Sequence, residues 1–148
     1  MNRIVTIGLL ALSLVLMCCK KDDPAPNNNN TTGGPPPAAL VAVWVPTYAT
    51  RNDTVVAVGE ILFWTPSTVA ARFTFNADGS YVYEELSGTN AVVYTQNGIV
   101  SVNGTNITVT PVSPPGIVLT GTWSITGNTL TLSANLLGYN VVLKLTKQ

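Results

Sequence analysis

Apolar positions follow two regimes along this chain. They form an almost unbroken run over residues 4–17 and, after a polar interval, alternate with polar residues from Leu40 to the C-terminus. Alternation with a period of two marks strands with one buried face. It is clearest in GTWSITGNTLTLS, residues 121–133, where a two-residue loop at Gly127 and Asn128 pairs Ile125 with Leu130 and Trp123 with Leu132. Thr122, Ser124, Thr126, Thr129 and Thr131 then share the opposite face. GIVSVNGTNITV, residues 98–109, follows the same pattern, with Val100, Val102, Ile107 and Val109 on one face. Its turn is Asn103–Gly104 or Gly104–Thr105, and the choice changes register but not faces.

A third hairpin is ARFTFNADGSYVYEE, residues 71–85. A turn through Ala77, Asp78 and Gly79 sets Phe75 opposite Tyr81 and Phe73 opposite Tyr83, with Arg72, Thr74 and Glu84 behind them. Weaker strands are expected at 40–45, within 54–64, at 91–96 and at 139–146, where Tyr139, Val141, Leu143 and Leu145 face one way. Eight to ten strands, short turns and no helix predict an all-β protein. Such an antiparallel up-and-down meander removes its exposed edges by closing into a small barrel of about eight strands.

The unbroken apolar run is a different object. As a helix, residues 4–17 would reach about 21 Å, short of the roughly 30 Å of a bilayer core. Following Arg3, the run reads as the apolar region of an export signal and lies outside the fold. Both cysteines of the chain follow it directly, in Leu16, Met17, Cys18, Cys19. This stretch resembles the lipobox of bacterial lipoproteins, whose cysteine carries the anchoring lipid. Either cysteine is available. Cys19 is favoured because Leu16 stands three residues before it and the small Cys18 immediately before it, whereas Cys18 would be preceded by the bulky Met17. A disulfide between neighbours would strain the intervening peptide, and a metal site lacks partners because the chain has no histidine.

Lys20, Lys21, Asp22 and Asp23 come next. Lys21, Asp22 and Asp23 resemble the lysine and acidic-pair signal behind the lipidated cysteine of outer-membrane lipoproteins in Bacteroidetes-type bacteria, and so imply display on the cell surface. PAPNNNNTTGGPPP, residues 24–37, has too little apolar surface to offset the entropy of ordering it. The expected organisation is a signal peptide over 1–18, a lipidated cysteine and tether over 19–39, and one domain over 40–148. Asp53, Thr54 and Val55 resemble a short O-glycan acceptor of the same bacterial group, with Thr54 as the modified residue.

Charge narrows the functional classes. Residues 40–148 carry a net charge of about −1 and no basic patch, so no nucleic-acid partner is expected. Glu84 and Glu85 are neighbours in a strand, point to opposite faces and cannot act as a catalytic pair. No serine has a histidine base. The chain is read as a non-enzyme without cofactor or metal.

LVAVW at 40–44, FTFNADGSY at 73–81, LTGTWSITGNTLTL at 119–132 and VVLKLTK at 141–147 resemble the lipocalin-like domains of bacterial lipoproteins. Ala42 stands where the lipocalin first-strand pattern has glycine. The resemblance implies a barrel that encloses a small apolar ligand. Trp44, Phe73, Phe75, Tyr81, Tyr83 and Trp123 are the candidates to line that cavity, or, as an inward aromatic stripe more often does, to fill a solid core. In the second case the domain is a surface interaction module, contacting proteins or glycans through loops such as residues 47–53 and 110–116. Its protein partner cannot be read from the chain.

Overall fold

The alternating pattern resolves into strands in the computed structural model, which describes residues 33–148. In chain order these are β1 (Ala42–Arg51), β2 (Thr54–Val56), β3 (Ala70–Phe75), β4 (Ser80–Leu86), β5 (Val92–Asn103), β6 (Asn106–Ser113), β7 (Leu119–Thr126), β8 (Thr129–Leu136) and β9 (Tyr139–Lys147). One short helix, α1 (Val58–Leu62), precedes β3. Every pairing is antiparallel, and β9 returns to β1, with Trp44 opposite Lys147 and Arg51 opposite Val141. Eight strands thus close an up-and-down barrel, and β2 is an extra strand on the upper half of β1.

The hairpins have the registers their patterns predict. Phe75 lies opposite Tyr81 and Phe73 opposite Tyr83. In the turn between them, Asn76 N–H donates to Ser80 O at 2.9 Å, and Gly79 adopts the left-handed φ of 84° that this loop requires. Trp123 meets Leu132, and Ile125 meets Leu130. For β5 and β6, Val102 opposite Ile107 and Asn103 opposite Asn106 select the Gly104–Thr105 loop.

Two expectations are corrected, the absence of helix and a separate strand at 91–96. The strand expected within 54–64 is the short β2, which ends at Val56, and α1 follows. Val58, Ile61 and Leu62 are spaced i, i+3 and i+4, so one face of a single helical turn is apolar, and Ile61 is buried. The domain is therefore not free of helix. The apolar stretch 91–96 belongs to the same strand as 98–102, and the register with β6 shifts between Asn97 and Gly98. The extra residue there is Val112 on β6, and β5 carries its own extra residue, Val93, against β4; bulges of this kind bend the strand that holds them.

The core runs along the inside of the barrel and includes Phe75, Val100, Ile107, Leu130 and Leu145. Trp44 and Leu40 are fully buried, and the Trp44 indole donates to Leu40 O at 2.8 Å. They close the end that carries the β3–β4, β5–β6 and β7–β8 turns. The chain enters at this end. Gly34 exchanges two backbone hydrogen bonds with Val102, at 3.0 and 3.1 Å, beyond the point where β4 begins opposite Ile99. Ordered contact with the barrel thus begins upstream of Leu40.

Candidate functional site

At the opposite end the barrel is open. A cavity of about 400 Å³ descends from this mouth. One wall is α1 and its exit, with Ile61, Leu62, Phe63 and Thr65. Strands β3 to β5 supply Phe73, Tyr81, Tyr83, Glu85, Tyr94 and Gln96. The far wall is Val109, Leu119 and Leu136, roofed by Pro115, Gly116 and Ile117 of the β6–β7 loop.

Strand parity explains the aromatic wall. Tyr81, Tyr83 and Glu85 alternate along β4 and all point inward, next to Phe73 on β3 and Tyr94 on β5. The Phe73 and Tyr83 rings lie 4.7 Å apart between centroids, and Tyr83 and Tyr94 lie 6.2 Å apart, edge to face. Such pairs add about 0.5–1.5 kcal/mol beyond burial. Tyr81 sits opposite Gly98, and its ring occupies the space that a Cβ at Gly98 would need.

Polar atoms in the cavity form two groups. In the first, the Tyr81 hydroxyl donates to Gln96 Oε1 at 3.3 Å, and Gln96 Nε2 donates to the Tyr94 hydroxyl at 3.3 Å and to Pro114 O at 3.2 Å. In the second, Glu85, only 3 % exposed, accepts from the Tyr83 hydroxyl at 3.2 Å, from Thr65 N–H at 3.3 Å and from the Thr68 hydroxyl. The carboxylate thereby pins the turn after α1 to the barrel wall. Burial pushes the Tyr81 phenol up to about 12, helped by the neighbouring Tyr94. The Tyr83 phenol is pushed well above the usual tyrosine range, first by burial and then by the charge and hydrogen bond of Glu85. The Trp64 indole approaches Tyr83 and opposes this slightly, yet its buried Nε1 makes no regular hydrogen bond.

The six aromatic candidates separate. Phe73, Tyr81 and Tyr83 line the cavity. Phe75 is packed below it, Trp44 closes the floor, and Trp123 donates to Gly104 O at 3.0 Å, clasping the β5–β6 turn. Thr54 is exposed at the start of β2, beside Asn52 and Asp53 with their left-handed φ of 47° and 64°. Cys19, Lys21, Asp22 and Asp23 lie outside the described residues.

Glu85, Tyr94 and Gln96 were not among the candidates. Parity alone would have found Glu85, since it shares a face with Tyr81 and Tyr83. Arg72 and Glu84, which pair at 2.6 Å on the outer surface, show the opposite face. Among the described residues, no three His, Cys, Asp or Glu side chains gather to hold a metal ion. No protein-family model matches the chain, and no curated protein matches it.

Proposed function

We propose that this chain is a lipoprotein held in the outer membrane through Cys19, displayed at the cell surface, whose lipocalin-like barrel binds a small, largely apolar molecule. The observation that carries the binding reading is the cavity at the barrel mouth. Its volume of about 400 Å³ suits a small molecule, and its walls are aliphatic and aromatic with a few converging polar groups, as ligand sites usually are. Phe63, at 60 % exposure, and Ile117, at 52 %, form an apolar entrance.

The anchor agrees with this reading in direction. Thirteen residues lie between Cys19 and Gly33, so the two can stand at most about 45–50 Å apart. The described chain starts at the closed end, where Gly34 pairs with Val102, so the tether joins the barrel at the end opposite the mouth. Lys21, Asp22 and Asp23 extend the proposal to surface export, and Thr54 extends it to a glycan at the exposed start of β2.

A neutral fluorescent probe, N-phenyl-1-naphthylamine, tests the cavity. It is expected to bind one-to-one to the purified chain and to be displaced by Leu119→Trp, which fills the far wall. Absence of saturable binding would sink the carrier reading. Cys19→Ala is expected to leave an unprocessed or membrane-free protein without the lipid, and a variant that is still processed and acylated would remove the anchor assignment.

A further inference from the structure

The chemistry of the cavity narrows its ligand, given that the cavity binds one at all. Glu85 is a buried carboxylate on the cavity wall, and among the described residues no cation is within ion-pair distance of it. Arg51 pairs with Glu60 at 3.1 Å at the rim, and Arg72 pairs with Glu84 outside the barrel. Lys144 lies over the outward Tyr48 ring, and Lys147 is exposed near the closed end. A buried charge without a counter-charge is costly even when hydrogen-bonded.

The remaining hydrogen-bonding capacity is equally one-sided. Gln96 uses its oxygen on Tyr81 and its amide hydrogens on Tyr94 and Pro114. The Tyr83 proton goes to Glu85 Oε1, and Glu85 Oε2 accepts both Thr65 and Thr68. What remains on the lining side chains is mostly acceptor capacity, on Glu85 Oε1 and on the phenol oxygens of Tyr81 and Tyr83, with the proton of the Tyr94 hydroxyl as a donor; the unpaired Trp64 Nε1 belongs to a side chain outside the lining. A carboxylate ligand would meet like charge and a single donor. A cationic head would meet a carboxylate among the rings of Phe73, Tyr83 and Tyr94, and aromatic rings attract cations through their quadrupoles.

We infer that the ligand is a small organic cation, an ammonium or amidinium group on an apolar body, with its head at Glu85 and its body along Phe73, Tyr83 and Tyr94. This rests on the cavity reading above, and the test separates the two. Calorimetric titration of the purified full chain with tryptamine, neutral 3-propylindole and indole-3-acetate compares one apolar body carrying three heads. Tryptamine is expected to bind at least about tenfold tighter than propylindole, with indole-3-acetate weakest. Glu85→Gln is expected to abolish the tryptamine advantage and leave propylindole unchanged. Equal binding of cation and neutral, or preference for the anion, would overturn the cation inference while the apolar cavity stands. No binding of any of the three, or of the naphthylamine probe, would overturn both. A Glu85→Gln variant that keeps the preference would make Glu85 only a pin for the Thr65–Thr68 turn and would also overturn the inference. Should that variant fail to fold, the ranking of the three heads on the unmodified chain decides alone.

Discussion

Phe73 and Phe75 stand two residues apart on the same face of β3, their rings 6.2 Å apart and stacked, yet they do different things. Phe75 is 1 % exposed and surrounded by core, whereas Phe73 is partly buried and borders the cavity. Deleting a ring from a packed site removes both its transfer energy and its contacts, so Phe75→Ala is expected to cost about 3–5 kcal/mol. Deleting one that borders open space removes less, and Phe73→Ala is expected to cost below about 2 kcal/mol while weakening probe binding. Thr74, between them on the outer face, is expected to change stability by no more than about 0.5 kcal/mol on substitution by alanine. Urea unfolding of the three variants measures this order. Equal losses at Phe73 and Phe75 would mean the cavity is closed in solution. Parity made both phenylalanines legible as inward-facing, but depth inside the barrel is not a property of parity. The same gap hid Glu85, whose face was readable but whose burial was not.

The element that the alternating pattern misread is α1, because a five-residue helix has too few turns to show its period. Its placement depends on contacts from elsewhere: Ile61 buried in the core, Trp64 packed where Gly59 leaves no side chain, and the following turn held by Glu85. The helix ends on Phe63, which adopts the left-handed conformation at φ 55° and ψ 43°. Glycine is the residue suited to that position, and a side chain there costs about 1 kcal/mol or more. Phe63 nevertheless lines the cavity mouth. Phe63→Gly is therefore expected to stabilise the fold by about 0.5–1 kcal/mol and to weaken binding of the naphthylamine probe several-fold, as happens when strain is kept for function. Urea midpoints and probe titrations on the same sample check both halves. A destabilised variant with unchanged binding would show that the side chain is structural.

At the scale of the whole barrel, buried phenols couple stability to alkaline pH. Burial raises the Tyr81 phenol from its ordinary 10.0 to about 12. Between these values the unfolded chain has lost the proton that the folded chain still holds. The unfolded state then binds fewer protons, so unfolding free energy falls as pH rises through this window. Tyr83, raised further, acts in the same direction and carries the loss to higher pH. Urea midpoints are expected to be flat from pH 7 to 9 as far as these two groups contribute, and to fall from pH 10 to 12. Tyr81→Phe and Tyr83→Phe should each flatten the alkaline limb. If both variants lose stability with the slope of the parent, the two phenols are not buried as described.

Period-two alternation and turn chemistry act between residues that are neighbours or one hairpin apart. They sufficed for the three hairpins, for the inward sides of Phe73, Tyr83, Leu132 and Leu143, and for the all-β class. The proposed anchor at Cys19 is likewise local, because it rests on the Leu16–Cys19 window alone. Barrel closure is not local. It joins Trp44 to Lys147 through the sum of eight strand tilts and registers, and no single pattern carries that sum. Closure in turn sets how far the walls stand apart, which inward rings touch and which border space. It brings α1 over the mouth and leaves Glu85 in the wall with three donors and, among the described residues, no cation beside it. The strands and hairpins were therefore written in short-range pattern, whereas closure, the cavity and its charge arise only where distant strands meet.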